Sequence, residues 1–262
     1  YRLLYRKEDT IMLQYLIVCP LVFLAGLVDS IAGGGGLISL PAYLIAGVPA
    51  HVALGTNKLS SAMGTTVSTA RLAKHGFLKG KVLMAVCSSA AALMGSALGA
   101  HLALMVPESV IKHMMIVVLP VVAFYVLRNK DMGARDRTED ISRNKVFAIS
   151  MAAAFFVGGY DGFYGPGTGT FLILILTGAA GMDARSASAQ TKVINLSSNI
   201  AALVTFIATG NVYYPLGLTA GVCSIAGHYI GAGMVAHDGQ KVVRPVVLAV
   251  LGVLFIKIIS NT

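Results

Sequence analysis

Five uncharged or nearly uncharged apolar runs dominate the chain: Ile11 to Val28, Val82 to Val106, Val110 to Leu127, Leu216 to Ala236 and Val242 to Ile256. About 20 apolar residues cross the hydrocarbon core of a bilayer as a helix, and every backbone polar group must then be satisfied within the element itself. This restricts the fold to an all-α polytopic membrane protein. Composition agrees, with 56% hydrophobic and 12% charged residues and a mean hydropathy of +0.78, against about 25% charge in a soluble domain.

The first run stops at Asp29-Ser30-Ile31-Ala32-Gly33-Gly34-Gly35-Gly36. Four successive glycines each cost about 1 kcal/mol of helix propensity relative to Ala, and unwound backbone at membrane depth persists only beside protein or a polar cavity. A short apolar piece, Leu37 to Ala46, follows, and then a polar helix from His51 to Leu72 that contains Lys58. The same order returns later. An offset of 132 takes Asp29 to Asp161, Gly33 to Gly165, Gly35 to Gly167, Gly95 to Gly227 and Gly99 to Gly231; an offset of 134 takes Lys58 to Lys192, Asn57 to Thr191 and Ser61 to Asn195.

The chain therefore reads as two repeats, 1–127 and 146–262, joined by a charged linker, 128–145, on the cytoplasmic side. Each repeat holds a helix broken at glycines, a polar helix with a lysine, and two ordinary spans. If each short segment belongs to the same crossing as the helix before it, there are about eight transmembrane helices in parallel repeats. If the short segments are separate or re-entrant, there are ten elements and the repeats are inverted. Loop charge does not decide between them. Gly95-x-x-x-Gly99 and Gly227-x-x-x-Gly231 are expected to let helices pack closely.

The formal charge of +9 would suggest nucleic acid in a soluble protein. Here Arg71, Lys74, Lys79 and Lys81, and the basic residues between 128 and 145, sit in loops beside the lipid bilayer, so the charge is a topology signal and no nucleic-acid partner is expected. Cys19, Cys87 and Cys223 have neither disulfide nor zinc spacing, the six histidines have no metal-ligand spacing and read as interfacial, and neither glycine stretch has the Gly-Lys-Ser/Thr of a phosphate loop. No cofactor or metal is expected. The chain starts at Tyr1 with no signal-peptide pattern, as expected of a trimmed or processed N-terminus.

The chemistry concentrates in the repeated polar positions. A lysine at the bilayer centre costs about 2.5–3.5 kcal/mol on insertion scales, and Lys58 and Lys192 incur that cost twice at equivalent places. Either they attract an anion, or they snorkel or pair with Asp161 and Asp29. Asn57, Ser61 and Thr65 share one helical face, repeated by Thr191, Asn195 and Asn199. With Thr56, these groups are candidates to replace an anion's hydration shell. Amides of Gly34, Gly35, Gly36, Gly165 and Gly167 are candidates to hold its oxygens. Asp29 and Asp161 are candidates for proton coupling.

Ala53-Leu54-Gly55-Thr56-Asn57-Lys58 after the first glycine break, the charged central loop, and the second copy with Gly165-Pro166-Gly167-Thr168-Gly169 and Gln190-Thr191-Lys192-Val193-Ile194-Asn195 resemble the TauE/SafE sulfite exporter family, also called the toluene sulfonate uptake permease family. The resemblance covers nearly the whole chain. It implies an inner-membrane (plasma-membrane) permease of eight helices in two repeats that moves sulfite, sulfoacetate or other sulfonates. The second copy departs from the first by reading Ala-Gln-Thr-Lys for Gly-Thr-Asn-Lys, which makes a shared site asymmetric. The leading expectation is a secondary transporter for such an anion working by alternating access, in a chain that can form a homo-oligomer. An anion channel is the alternative, and an intramembrane aspartyl protease, suggested by the two aspartates, a remote one.

Overall fold

The computed structural model describes residues 2–107, 109–110, 136–238 and 245. The predicted spans beyond Val110 and from Val242, and the linker up to residue 135, lie outside the described residues. Within them are eight α-helices: α1 (Arg2–Ala32), α2 (Gly36–Ile45), α3 (Ala50–Lys74), α4 (Val82–Met105), α5 (Arg143–Phe163), α6 (Thr168–Gly178), α7 (Ala184–Ala208) and α8 (Tyr214–Asp238). A single 3-10 turn, Thr138–Asp140, precedes α5. Five helices are long and apolar enough to cross a membrane: α1 from Ile11, α4, α5, α7 and α8. Exposed Leu16, Leu83, Met94, Phe156, Val204 and Val222 suit lipid, where a soluble protein would bury them. Helix α3 has a crossing length but a polar sequence, and it is covered by α7 and α8.

Two glycines stop the broken helices. Gly33 takes a left-handed conformation (φ 72°) and donates its amide to Asp29 O at 2.8 Å, so α1 ends there and the chain turns back. A Cβ at Gly35 would overlap Asp29 Cβ and Ala25 O, which shows the chain returning alongside α1. Gln14 Nε2 then donates to Ala46 O at 3.0 Å, at the far end of α2. In the second repeat Gly165 (φ 98°) ends α5, and Arg137 N donates to Gly181 O at 2.7 Å, joining the chain before α5 to the chain after α6. Both short helices are thus re-entrant arms. Of the two sequence readings of the short segments, the described residues follow the second. The all-α polytopic fold expected from the sequence stands, with each short helix turning back along the helix before it rather than continuing its crossing.

The ends of the long helices fix their directions. Lys81 Nζ lies 3.7 Å from Asp136 and Arg185 Nη2 donates to His237 O at 2.8 Å, so one face gathers the end of α3, the starts of α4, α5 and α7, and the end of α8. On the other face His51 Nε2 meets Ala103 O at 3.2 Å, and Tyr213 N donates to Thr56 Oγ1 at 2.9 Å. The α1–α2 hairpin enters from this second face and the α5–α6 hairpin from the first, basic face. Helices α3 and α7 likewise run in opposite directions. The repeats are inverted.

Packing sorts the helices into two blocks. Helix α8 lies on α1 and α3, and α4 lies on α5 and α7, so each repeat gives its last described helix to the other repeat's partners. One block is α1, α2, α3 and α8; the other is α4, α5, α6 and α7. The predicted glycine pairs make these contacts: a Cβ at Gly95 or Gly99 would overlap Phe155 O or Gly159 O of α5, and one at Gly227 or Gly231 would overlap Phe23 O or press on Leu27 O of α1. Between the blocks, α3 packs on α7, and the hairpin tips touch, with Thr170 N 3.2 Å from Gly33 O and Thr170 Oγ1 2.8 Å from Ala32 O.

Candidate anion site between the two blocks

A small cavity lies where the tips meet α3 and α7, lined by Asp29, Gly33, Gly36, Asn57, Lys58, Ser61, Asp161, Gly165, Thr168, Gly169, Asn195 and Asn199. Its volume is about 20 Å³, room for about one water. Apolar clusters pack on both sides of it. Leu40, Tyr43, Leu54, Ala202 and Phe206 lie toward the second face, and Ile31, Leu37, Leu72, Ile173 and Ala189 toward the basic face. Helices α2 and α6 both begin at the cavity, at Gly36 and Thr168. Their amino ends carry partial positive charge and first-turn amides, the setting that favours an anion.

Each lysine is buried and paired across the blocks. Lys58 Nζ lies 2.8 Å from Asp161 Oδ2 and donates to Asn199 Oδ1 at 3.1 Å. Lys192 Nζ lies 2.7 Å from Asp29 Oδ2 and also donates to Asp29 O. Burying four charges is costly unless each finds its counter-charge and further hydrogen bonds. Here Ser198 Oγ donates to Asp161 Oδ2 at 2.6 Å. At the other carboxylate, His228 Nε2 lies 3.1 Å from Asp29 Oδ2 and Gly35 N donates to Asp29 Oδ1 at 3.3 Å. Gly165 has no side chain because a Cβ there would sit 3.1 Å from Lys58 Nζ and 3.2 Å from Asp161 Oδ1.

Of the residues singled out by sequence, Asp29, Gly36, Asn57, Lys58, Ser61, Asp161, Gly165, Asn195 and Asn199 line the cavity, and Lys192 reaches it through Asp29. Asn57 is buried with its Oδ1 unpartnered. Thr56 lies off the cavity: one residue from Asn57, it is turned about 100° around the helix, and its hydroxyl binds Val52 O at 2.6 Å and receives Tyr213 N. Thr191 is buried, its hydroxyl without a partner, and does not line the cavity. Gly34, Gly35 and Gly167 shape the tips rather than face the space; the Gly35 amide is taken by Asp29. Sequence reasoning missed Thr168, Ser198 and above all His228, which is 2% exposed within α8 and not interfacial.

The TauE/SafE sulfite exporter family model matches residues 18–258. The chain belongs to that family. It is 36% identical over 252 residues to a "Probable membrane transporter protein ORF9" of a Sinorhizobium species, covering 95% of this chain and 93% of that protein. A probable membrane transporter protein of Haemophilus influenzae is 34% identical (86% and 87% covered), and Escherichia coli YfcA, likewise a probable membrane transporter, is 33% identical (91% and 87%). No solved structure matches the chain. The protein is a multi-pass membrane transporter and not an enzyme, which removes the aspartyl protease reading. In keeping with this, its two aspartates pair with lysines and not with each other.

Proposed function

We propose that the protein carries a small sulfur-containing anion, such as sulfite or an organosulfonate, by alternating access. The observation that supports this is the pair of buried lysines, each bound to an aspartate of the opposite block, at a cavity onto which two helix amino ends open. An oxyanion offers an ammonium group the same oxygens as a carboxylate does. By displacing Asp161 or Asp29 from its lysine, it would take the ion pairs that hold the blocks together into its own coordination. Ser61, Asn57 and Asn195 line the cavity where its remaining oxygens would lie, with Gly36 and Gly169 at the starts of α2 and α6. The blocks would then move about the α3–α7 contact, opening the cavity first to one face and then to the other.

The second face carries Arg2, Arg6 and Lys7 at the start of α1 and no Lys or Arg in its described loops, 46–49 and 209–213, whereas the basic face gathers Lys74, Lys79, Lys81, Arg137, Arg143, Lys145 and Arg185. The positive-inside rule assigns the basic face to the cytoplasm, consistent with an inner or plasma membrane. Apolar packing on both sides of so small a cavity favours a carrier over a channel. The test is uptake and efflux of labelled sulfite and sulfonates in proteoliposomes. Saturable flux with counter-transport, lost in Lys58→Ala and Lys192→Ala, is expected; undiminished flux in both variants removes the lysines from the mechanism, and flux that never saturates marks a channel.

A further inference from the structure

The two half-sites share one plan and differ at several positions, among them the group that supports each carboxylate. The offset of 132 sets His228 on α8 against Ser96 on α4, and the offset of 134 sets Gly64 on α3 against Ser198 on α7. In one half Ser198 donates to Asp161, and Ser96 Oγ donates to Ser198 O at 2.6 Å. In the other half the place of Ser198 is empty: a Cβ on Gly64 would overlap His228 Nδ1 and Ser224 Oγ. Gly26 yields on the third side, where a Cβ would lie 2.8 Å from the same nitrogen. Two glycines clear room for one imidazole, and the imidazole is aimed at Asp29.

Both ring nitrogens face oxygen atoms. Nε2 faces Asp29 Oδ2 at 3.1 Å and Nδ1 faces the carbonyl oxygen of Ser224 at 2.9 Å. Both are acceptors, and imidazolium has two N–H donors where the neutral ring has one. In the neutral ring with its proton on Nε2, the bare Nδ1 meets that carbonyl and is satisfied only by the Ser224 hydroxyl at 3.2 Å. The charged and titratable groups around His228 are Asp29 on α1, Lys192 of α7 on the same carboxylate oxygen, and Arg71 on α3, which is engaged with Tyr229 O and the Tyr229 ring. Cys19 and Cys223 are the thiols of the α1–α8 seam. Lys58 and Asp161 lie across the cavity. A second, smaller void beside His228 shares the lining residues Asp29, Gly36 and Ser61 with the central one, which places the ring one residue layer from the anion site.

We propose that His228 carries the proton that accompanies the anion, an inference that rests on the anion-carrier reading. Lys58, Lys192, Asp29 and Asp161 sum to zero charge. Addition of a proton to Nδ1 of His228 makes the site +1, the charge that a monoanion neutralises, and no other bond changes. Asp29 then has two cationic partners and can release Lys192 to the anion without being left unpaired. The anion and the proton bind together, cross together and leave together, the proton returning to water from Nδ1. The Lys58–Asp161–Ser198 half has a serine hydroxyl where the other half has an imidazole, and serves as the fixed half.

The experiment uses the full chain and methanesulfonate, whose charge is constant between about pH 5 and 8, with sulfite in parallel. Linkage requires that an anion preferring the protonated site draw a proton as it binds. Wild-type methanesulfonate uptake is expected to rise by up to about tenfold per pH unit as pH falls through the imidazole range, and the slope is expected to disappear in His228→Gln. The double variant Gly64→Ser/His228→Ser rebuilds the serine arrangement already present in the other half, guards against a folding defect, and is expected to give the same flat profile. In ¹⁵N-histidine spectra, the signal absent from His228→Gln should change protonation between about pH 5 and 8 and move toward the protonated form on addition of methanesulfonate. A His228 signal that stays in one state over that range, or a variant that keeps the wild-type pH slope, overturns the proposal while leaving the carrier reading intact. Should wild type move neither anion, the carrier reading fails, and the spectra alone decide on His228: titration that shifts in Asp29→Asn upholds its protonation, and no titration overturns it.

Discussion

The half-site built on Asp161, Lys58 and Ser198 and the one built on Asp29, Lys192 and His228 share a scaffold and differ in the third group. In each, a carboxylate at the end of a broken helix reaches into the opposite block and takes a lysine eight residues into a polar helix. The third partner always comes from the carboxylate's own block: Ser198 sits with Asp161, and His228 with Asp29. It therefore holds the carboxylate in place without bridging the moving surface. A hydroxyl does this at constant charge, whereas an imidazole does it with a charge that pH can change. Duplication supplied two equal latches, and one substitution pair, His228 with Gly64, made one of them adjustable.

The largest effects should come from opening a latch. Lys58→Ala or Lys192→Ala leaves a buried carboxylate without its cation, at a cost of about 3–5 kcal/mol, read as a drop in thermal unfolding temperature in detergent. Protonated His228 can stand in for the missing ammonium on Asp29, so the Lys192→Ala deficit is expected to shrink between pH 8 and pH 6 and the Lys58→Ala deficit to stay constant; equal behaviour would erase the distinction between the halves. Next in size, Ser198→Ala removes a hydrogen bond to a charged group, about 1.5–3 kcal/mol, at either pH. Gly99→Val and Gly231→Val overfill the α4–α5 and α8–α1 seams and should each cost about 1–3 kcal/mol, by like amounts if the halves are equivalent outside the site.

The smallest effect lies away from the comparison, at the basic face. Partial burial pushes the Asp136 carboxyl up, but hydrogen bonds from the Thr138 hydroxyl and amide and the nearby charge of the Lys81 ammonium outweigh it and hold the group below its ordinary value. A lowered folded value means that the stabilisation is present above the unfolded value of about 3.9 and is lost as pH falls through the folded one. Because the group is exposed, Asp136→Asn should cost under about 1 kcal/mol at pH 7, and its difference from wild type in unfolding midpoint should vanish toward pH 3.

Helix positions were legible because apolar length and glycine punctuation act locally. The polar helix expected from His51 to Leu72 forms as Ala50–Lys74, and the span expected from Val82 to Val106 as Val82–Met105. The course of α2 was not legible, since ten apolar residues look alike whether they continue a crossing or return. What decides it is the left-handed turn at Gly33 and the contact of Gly35 with Ala25 and Asp29. The aspartate–lysine pairs could be named from the repeat, because equivalent charges at membrane depth have few partners. His228 could not: an imidazole in an apolar run carries no period. Its trace was a complementary exchange of size between Gly64 and Ser198 and between Ser96 and His228, visible only once the repeat offsets are applied to α4 and α8 together with α3 and α7.

The exchange of α4 and α8 between the repeats bears on how such a chain arises. Residues 2–105 alone would leave the glycine face of α4 bare, and α1 without the helix that covers it. Two copies of one repeat, inserted in opposite orientations, would satisfy both needs at once by trading their last described helices, as in a domain-swapped dimer. Separately expressed halves should accordingly accumulate only when made together, each acting as the folding template of the other.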